Sequence, residues 1–354
     1  MNKKFWKNKK VLITGHTGFK GSWLSLWLKI LGANVVGISL PPDGKKNLFT
    51  IASLKNKLNK NIYLDIKNKK KLEKEIIKIK PNIIFHLAAQ PLVIESYKNP
   101  LNTIETNILG TANLLEVSKK VNSINAIVIV TTDKVYKNNN KKIFHSEKDQ
   151  LGGDDIYSYS KASVEMLVYS YRKSFLKDKI NISTVRAGNV IGGGDWSENR
   201  LIPDFIKAYQ DKKKLIIRNP NHIRPWQHVL DCLYGYILVA EKIYKNKKLT
   251  NLDSFNFGPK NNHLLSVNEI IKMMLKKLNN SVNIIHKHKK YEFSEKKFLA
   301  LNSNLAKKIL GWSSKLAAQD SINLTLDWYK EYFKKKNMYE YSCKQIINYI
   351  SKVS

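Results

Sequence analysis

The sequence predicts an α/β fold, a doubly wound parallel sheet joined to a smaller, mixed α/β lobe. Three observations lead there. Short β-branched runs alternate with amphipathic stretches from the N-terminus to about residue 130, and that rhythm of strand, helix and strand implies right-handed crossovers between parallel strands. A glycine-rich turn, TGHTGFKGSW, falls where the first strand hands over to the first helix. After residue 189 the loops lengthen and strands become fewer.

Taken in order, VLITG (from Val11) is an apolar run stopped by glycine, and FKGSWLSLWLKIL then repeats its apolar residues at helical spacing. VVGISL (from Val35), NIYLD, NIIFHLAA (from Asn82) and AIVIVTT read as the next strands. Between them KKKLEKEIIKI and NTIETNILGTANLLEVSKK read as helices. Another helix opens near Ile156, and INISTVRAGNV supplies a further strand. Residues 1–188 are expected to form the first domain and residues 189–354 the second lobe with its C-terminal helices, some later segments returning to the first. The tail beyond Gly311 alternates aromatic, apolar and lysine residues in helical fashion, which suits packing.

Bulk properties narrow the function. A hydrophobic fraction of 43% places the chain among globular proteins, and neither a run long enough to span a membrane nor a signal-peptide core is visible. A cytoplasmic protein is expected. Cys232 and Cys343 lie far apart, without disulfide or metal spacing, so no metal is expected. The net charge of +34 would suit a nucleic-acid binder. Only five of the 62 basic residues are arginine, however, and the lysines travel with asparagine and isoleucine along the whole chain. No basic groove interleaved with aromatics stands out, so an anionic small molecule is the better partner.

Gly15, Gly18 and Gly21, with Thr17 and Phe19 among them, allow a tight turn, close approach of the backbone to a pyrophosphate, and an anion on the helix N-terminus. The turn therefore predicts a Rossmann-type dinucleotide domain with its crevice at the carboxyl ends of the strands. Tyr157 and Lys161 form a YxxxK pair one helical turn apart. The pattern alone says little in a lysine-rich chain, since Tyr63/Lys67, Tyr169/Lys173 and Tyr209/Lys213 match it too. Position selects Tyr157, which opens a helix about twenty-five residues after the strand that ends in TTDKVY. The Lys161 ammonium is expected to lower the phenol pKa of Tyr157, making it a base for a sugar hydroxyl, with Thr132 bonding the same oxygen.

With its GxxGxxG turn and YxxxK pair, the chain resembles the extended short-chain dehydrogenase/reductase family, in the group of NAD-dependent epimerases and dehydratases. That resemblance implies NAD as cofactor and a nucleotide-sugar substrate. It implies that Ala88 and Gln90 in HLAAQ, Asn107 in TNILGTANLLE and Asp65 near the adenine contact the cofactor. It also implies that Asn189 and Arg224 approach the sugar or its phosphates, that Arg200 binds the diphosphate-nucleoside end, and that Leu201 lines the base. Arginine suits a diphosphate because its fork donates two bonds at once. The family's pairing mode implies a homodimer through the helices starting near Leu101 and Tyr157.

Asp133 and Lys134 in TTDKVY bear on the reaction. The resemblance to sugar-nucleotide 4,6-dehydratases implies oxidation at C4, elimination of water across C5 and C6, and return of hydride to C6, with Asp133 protonating the departing C6 hydroxyl. Those enzymes carry Thr-Asp-Glu here, and Lys134 replaces the glutamate. GHTGFKGSWL, SLPPD, AAQPLV, TTDKVY and RAGNVIGGGDW together resemble the branch that takes a CDP-linked sugar, which has the lysine. Lys134 can be the C5 base with a lowered pKa, hold a water, or pair with Asp133. If Lys134 is instead a broken base, an epimerase or decarboxylase of the same fold competes. The second strand ends in Ser39-Leu40-Pro41-Pro42 where relatives place an acid for the adenosine ribose, which implies weak NAD retention; Lys45 and Lys46 could favour a 2′-phosphate, but no arginine is placed for one. NAD is the expectation.

Overall fold

In the computed structural model, the described residues are all but 1, 43, 45, 138–141, 178, 246–252, 261–263, 280, 287–295 and 354. Six strands, β1 (Lys10–Thr14), β2 (Asn34–Ser39), β3 (Lys60–Tyr63), β4 (Ile83–His86), β5 (Ala126–Val130) and β6 (Asn181–Ala187), lie in the order β3-β2-β1-β4-β5-β6. A seventh, Ser254–Phe257, extends the sheet beyond β6, and every pairing is parallel. The order reverses between β1 and β4, where Thr14 pairs with His86, so a crevice opens at their carboxyl ends.

The strands are apolar almost throughout because helices cover both faces. Leu12, Ile38, Ile84, Ile127 and Ile182 face one cluster, against the Lys69–Ile79, Gly110–Ser118 and Ile156–Tyr171 helices. Val11, Ile13, Phe85, Val128 and Val185 face the other, with Trp23 and Trp27 of the Phe19–Ile30 helix and the Val229–Lys245 helix. Each such side chain, taken fully out of water, contributes about 1.5–3 kcal/mol. The Val229–Lys245 helix and the Ser254–Phe257 strand belong to the main sheet although they follow residue 189.

Short pairs of strands build the rest: Val190–Ile191 with Gln227–His228, Ile223–Arg224 with Leu265–Ser266, and Leu215–Ile217 with Ile284–His286. The tail helices Ala318–Phe333 and Met338–Val353 pack as the pattern implies, burying Trp328, Ile346 and Tyr349. The expected helix over NTIETNILGTANLLEVSKK is in three pieces. Pro100–Ile104 and Gly110–Ser118 are α-helical, and a π turn, Glu105–Leu109, lies between them. A Cβ at Gly110 would stand 2.5 Å from the Ile66 side chain, so the helix touches its neighbour where the turn widens. Among the described residues no helix is long and apolar enough to cross a membrane, and no group of three metal-ligating side chains forms.

Candidate active site

The glycine turn follows β1 directly. Gly15 has φ +76°, and a Cβ there would lie 2.6 Å from the Ala88 nitrogen; one on Gly21 would lie 2.1 Å from the Gly15 carbonyl oxygen. Both positions exclude any side chain: at Gly15 this lets the loops after β1 and β4 touch, and at Gly21 it lets the helix close on the turn. Gly18 caps the Phe19–Ile30 helix and is exposed, so the first-turn N–H groups stand at an open surface, as a pyrophosphate requires. Thr17 Oγ1 bonds Ser39 Oγ at 2.8 Å and donates to the Leu40 carbonyl at 3.0 Å, closing the gap at the end of β2 without an acid. Lys46 is turned elsewhere, 3.4 Å from Gln210 Oε1 and over the Trp196 ring, while Lys45 lies outside the described residues. Phe19 is half-buried, with a ring carbon 3.1 Å from a Cβ placed at Gly192.

In the loop after β4, the side chains are committed to the protein. Asn107 Oδ1 accepts from the Gln90 N–H at 2.8 Å, and its Nδ2 donates to the Gln90 carbonyl at 3.1 Å and to Ser160 Oγ at 2.9 Å. Gln90 in turn spends its amide on Leu92 and Thr103. Asn107, expected at the cofactor, thus ties the Gln90 loop to the Ile156–Tyr171 helix. Asp65 accepts from the Lys67 N–H at 2.8 Å and is partly open.

At the carboxyl end of β5, Thr132, Asp133 and Lys134 meet the start of the Ile156–Tyr171 helix. Asp155 caps that helix, its Oδ1 accepting from the Ser158 N–H at 2.9 Å, and so fixes Tyr157 at the first turn. Thr132 Oγ1 bonds Asp133 Oδ1 at 3.0 Å and also reaches the Tyr157 hydroxyl. Asp133 is buried, and its Oδ2 has no partner. Burial raises the pKa of this carboxyl, against the lowering pull of Lys134, Thr132, Arg224 and Lys20. Lys161 donates to the Val130 carbonyl at 3.2 Å, and burial, aided by Lys20, brings its ammonium down to about 8. The lowering expected of Tyr157 is outweighed here: burial pushes the phenol up to about 12, against the pull of Thr132 and Arg200, and the Lys161 ammonium donates to the Val130 carbonyl.

Lys134 lines a cleft with Asp154, Asp155, Arg224, Lys296 and Leu299. The Lys134 charge pulls the Asp133 pKa down, against burial. Arg224, on the Ile223–Arg224 strand, bonds the Ile223 carbonyl at 3.0 Å and His222 Nδ1 at 3.1 Å, with its guanidinium at the cleft. Arg200 stands at the cap of the Leu201–Gln210 helix, 3.1 Å from Asp195 Oδ2. Leu201 is half-buried at the start of that helix, and Asn189 accepts from the Gln227 N–H at 3.0 Å through its carbonyl.

Residues that motif reading missed complete the pocket. A Cβ at Gly188 would lie 2.3 Å from Pro225 Cγ and 2.9 Å from Asp133 Oδ2, so glycine in RAGNV makes room for the carboxyl. His86 links Thr14 Oγ1 (2.7 Å) to Thr111 Oγ1 (3.0 Å), tying β1, β4 and the π-turn helix together. Lys20, on the glycine turn's own helix, adds a lowering pull on the Asp133 pKa.

Comparison with known proteins agrees with this layout. The model of the GDP-mannose 4,6 dehydratase family matches residues 12–325. The chain belongs to that family. The CDP-glucose 4,6-dehydratase of Salmonella typhimurium is 38% identical over 99% of this chain and 99% of its own length. Among solved structures, the UDP-glucose 4-epimerase of Thermotoga maritima superposes with a TM-score of 0.80 at 23% identity, covering 91% of this chain and 99% of the epimerase. The UDP-glucuronic acid 4-epimerase of Bacillus cereus, solved with UDP-glucuronic acid and NAD, gives 0.78 at 26% identity over 91% and 99%. Membership in the 4,6 dehydratase family accords with the parallel sheet and the glycine turn beside Tyr157 and Asp133.

Proposed function

We propose that the protein is a CDP-glucose 4,6-dehydratase, converting CDP-glucose to CDP-4-keto-6-deoxyglucose and water. The observation that carries this reading is Asp133, a buried carboxyl with one unpartnered oxygen and a raised pKa, next to Thr132 and Tyr157. A protonated acid aimed at the reacting sugar is what departure of the C6 hydroxyl needs, and a 4-epimerase has no use for it. The near full-length likeness to the Salmonella enzyme supports CDP-glucose as the substrate.

Tyr157 takes the C4 hydroxyl proton, with Thr132 bonding the same oxygen, once the positive charge of Lys161 and of a bound NAD+ offsets the burial that holds its phenol up. Asp133 gives its proton to the leaving C6 oxygen. Lys134, at the cleft, takes the proton from C5 directly or through a water, and the same group or water returns a proton to C5 when hydride is delivered to C6. Residues 1–188 would hold NAD, with the Gly15 and Gly21 cradle and the Gly18 cap receiving a pyrophosphate, and Asp65 and the Ala88–Gln90 loop as its further contacts. A bound NAD would supply the hydride acceptor for oxidation at C4 and the hydride donor for reduction at C6. Residues 189–354 hold the nucleotide sugar through Asn189, Arg200, Leu201 and Arg224. A cytoplasmic homodimer completes the reading. The exposed Leu101, Leu109, Tyr159, Met166 and Tyr169 on the two paired helices support it.

The test incubates the protein with added NAD and, separately, CDP-, dTDP-, GDP- and UDP-glucose, and reads product masses. Loss of one water from CDP-glucose alone is expected. Loss from another nucleotide instead would keep the reaction and overturn the substrate, while an isomer of unchanged mass would make the protein an epimerase.

A further inference from the structure

The run TTDKVY carries Thr132, Asp133 and Lys134 between two residues, Thr131 and Tyr136, that have no part in the proposed reaction. Both are buried, and both end on the same buried ion pair. Thr131 Oγ1 donates to Glu165 Oε1, while the Tyr136 hydroxyl accepts from Arg186 Nη1 at 2.8 Å. Arg186 closes on Glu165 as a fork, Nε to Oε1 at 2.9 Å and Nη2 to Oε2 at 2.8 Å, a geometry that fixes both side chains.

The pair is itself braced by three elements. Glu165 stands on the Ile156–Tyr171 helix, one turn beyond Lys161 and two beyond Tyr157, on the face that meets the end of β5. Arg186 comes from β6, and Thr184 of the same strand donates to Glu165 Oε2 at 2.6 Å. From the Ser254–Phe257 strand, Asn256 Oδ1 accepts from the Tyr136 hydroxyl at 2.7 Å. Between the two anchors the chain is held less well. Thr132 Oγ1 accepts from the Lys134 N–H at 3.4 Å and the Thr132 carbonyl from the Val135 N–H at 3.5 Å, both longer than an ordinary N–H···O bond. A carboxyl on so loose a turn keeps its place through the ends of the run. A buried ion pair adds little net stability over apolar side chains of the same shape, because desolvation offsets its attraction. What this one supplies is fixed bond directions at both ends of the turn.

We propose that Glu165 and Arg186 are positioning residues for the elimination, holding the Thr132–Lys134 turn through Thr131 and Tyr136 so that the Asp133 carboxyl meets the C6 oxygen. The inference rests on the dehydratase reading. Tyr157 stands on a helix fixed separately by the Asp155 cap. Loosening the turn therefore leaves proton removal from the C4 hydroxyl in place and delays proton delivery to the C6 oxygen, so the bond between C6 and that oxygen breaks late. Sugar already oxidised at C4 then accumulates, together with reduced nicotinamide.

The test keeps the ion pair and removes one anchor at a time, in Tyr136→Phe and Thr131→Val, with Thr131→Ser as the variant that retains the hydroxyl. Each protein is mixed with NAD and CDP-glucose, and water loss is read by product mass and reduced nicotinamide by its absorbance. Water loss is expected to be about tenfold slower in Tyr136→Phe and Thr131→Val, with KM little changed. Reduced nicotinamide should build up above the wild-type level in both, and Thr131→Ser should match the wild type. Water loss within about twofold of the wild type in the folded anchor variants would overturn the proposal. So would slowing without a build-up of reduced nicotinamide, since both steps would then fail together and the pair would only support the fold. Where thermal unfolding shows one anchor variant unfolded, the other decides by the same readings, and if both are unfolded the anchors are structural and the proposal falls. A wild type without water loss would instead remove the dehydratase reading, and this proposal with it.

Discussion

Asp133 shows at the scale of one residue how function sets itself against stability. Its folded-state pKa is raised by burial, so any stability it contributes is present below its ordinary carboxyl pKa and is lost as pH rises through the folded value. Above the folded value an ionised Asp133 opposes folding. Asp133→Asn keeps the shape and removes the charge, and is expected to abolish water loss while raising stability at pH 8 by about 1 kcal/mol, measured by denaturant unfolding. A variant less stable than wild type at pH 8 would contradict this. Gly188 carries a second prediction at this scale. In Gly188→Ala the new methyl lies 2.3 Å from Pro225 Cγ and 2.9 Å from Asp133 Oδ2, so about 1–3 kcal/mol of stability is lost and kcat falls because the carboxyl is displaced. Unfolding midpoints and a kcat measured on the folded fraction separate the two effects.

At the scale of elements, the sequence was informative wherever one local rule governs a segment. The glycine turn, the six β-branched runs and the helix that carries Tyr157 were all legible because spacing and residue type determine them directly. The π turn at Glu105–Leu109 was not, since its periodicity differs from an α-helix by one residue and depends on Asn107 reaching the Gln90 loop across the chain. The expected Lys161–Tyr157 coupling rested on spacing, which places two residues on one helix face and says nothing of the Val130 carbonyl that engages the ammonium. Lys20 lay inside the quoted glycine motif, yet a lysine in a chain with 62 basic residues gives no sign of its direction. Gly188 could have been found: a glycine just after a buried strand often marks a close approach.

For the whole molecule, buried imidazoles predict a pH dependence of stability. Burial holds His86 and His228 at about 3, below the ordinary 6.5. Both are neutral in the folded protein while the unfolded chain takes up protons below 6.5, so the stability they contribute is present above 6.5 and lost as pH falls towards 3. For the pair this amounts to about 4 kcal/mol between pH 8 and pH 5. Denaturant unfolding across that range should show the loss, and His228→Gln should remove about half of it. An unchanged slope in that variant would contradict the assignment. The same scale holds the central claim, that the sheet, the glycine cradle and the β5 end together carry out an internal redox cycle around an elimination. The most direct measurement uses CDP-glucose carrying deuterium at C4 and follows the product by mass and by NMR. The account predicts a product lighter by one water that keeps the deuterium, now at C6, and none from Tyr157→Phe. A product that has lost water but carries no deuterium at C6, or deuterated CDP-glucose returned as an isomer, would contradict it.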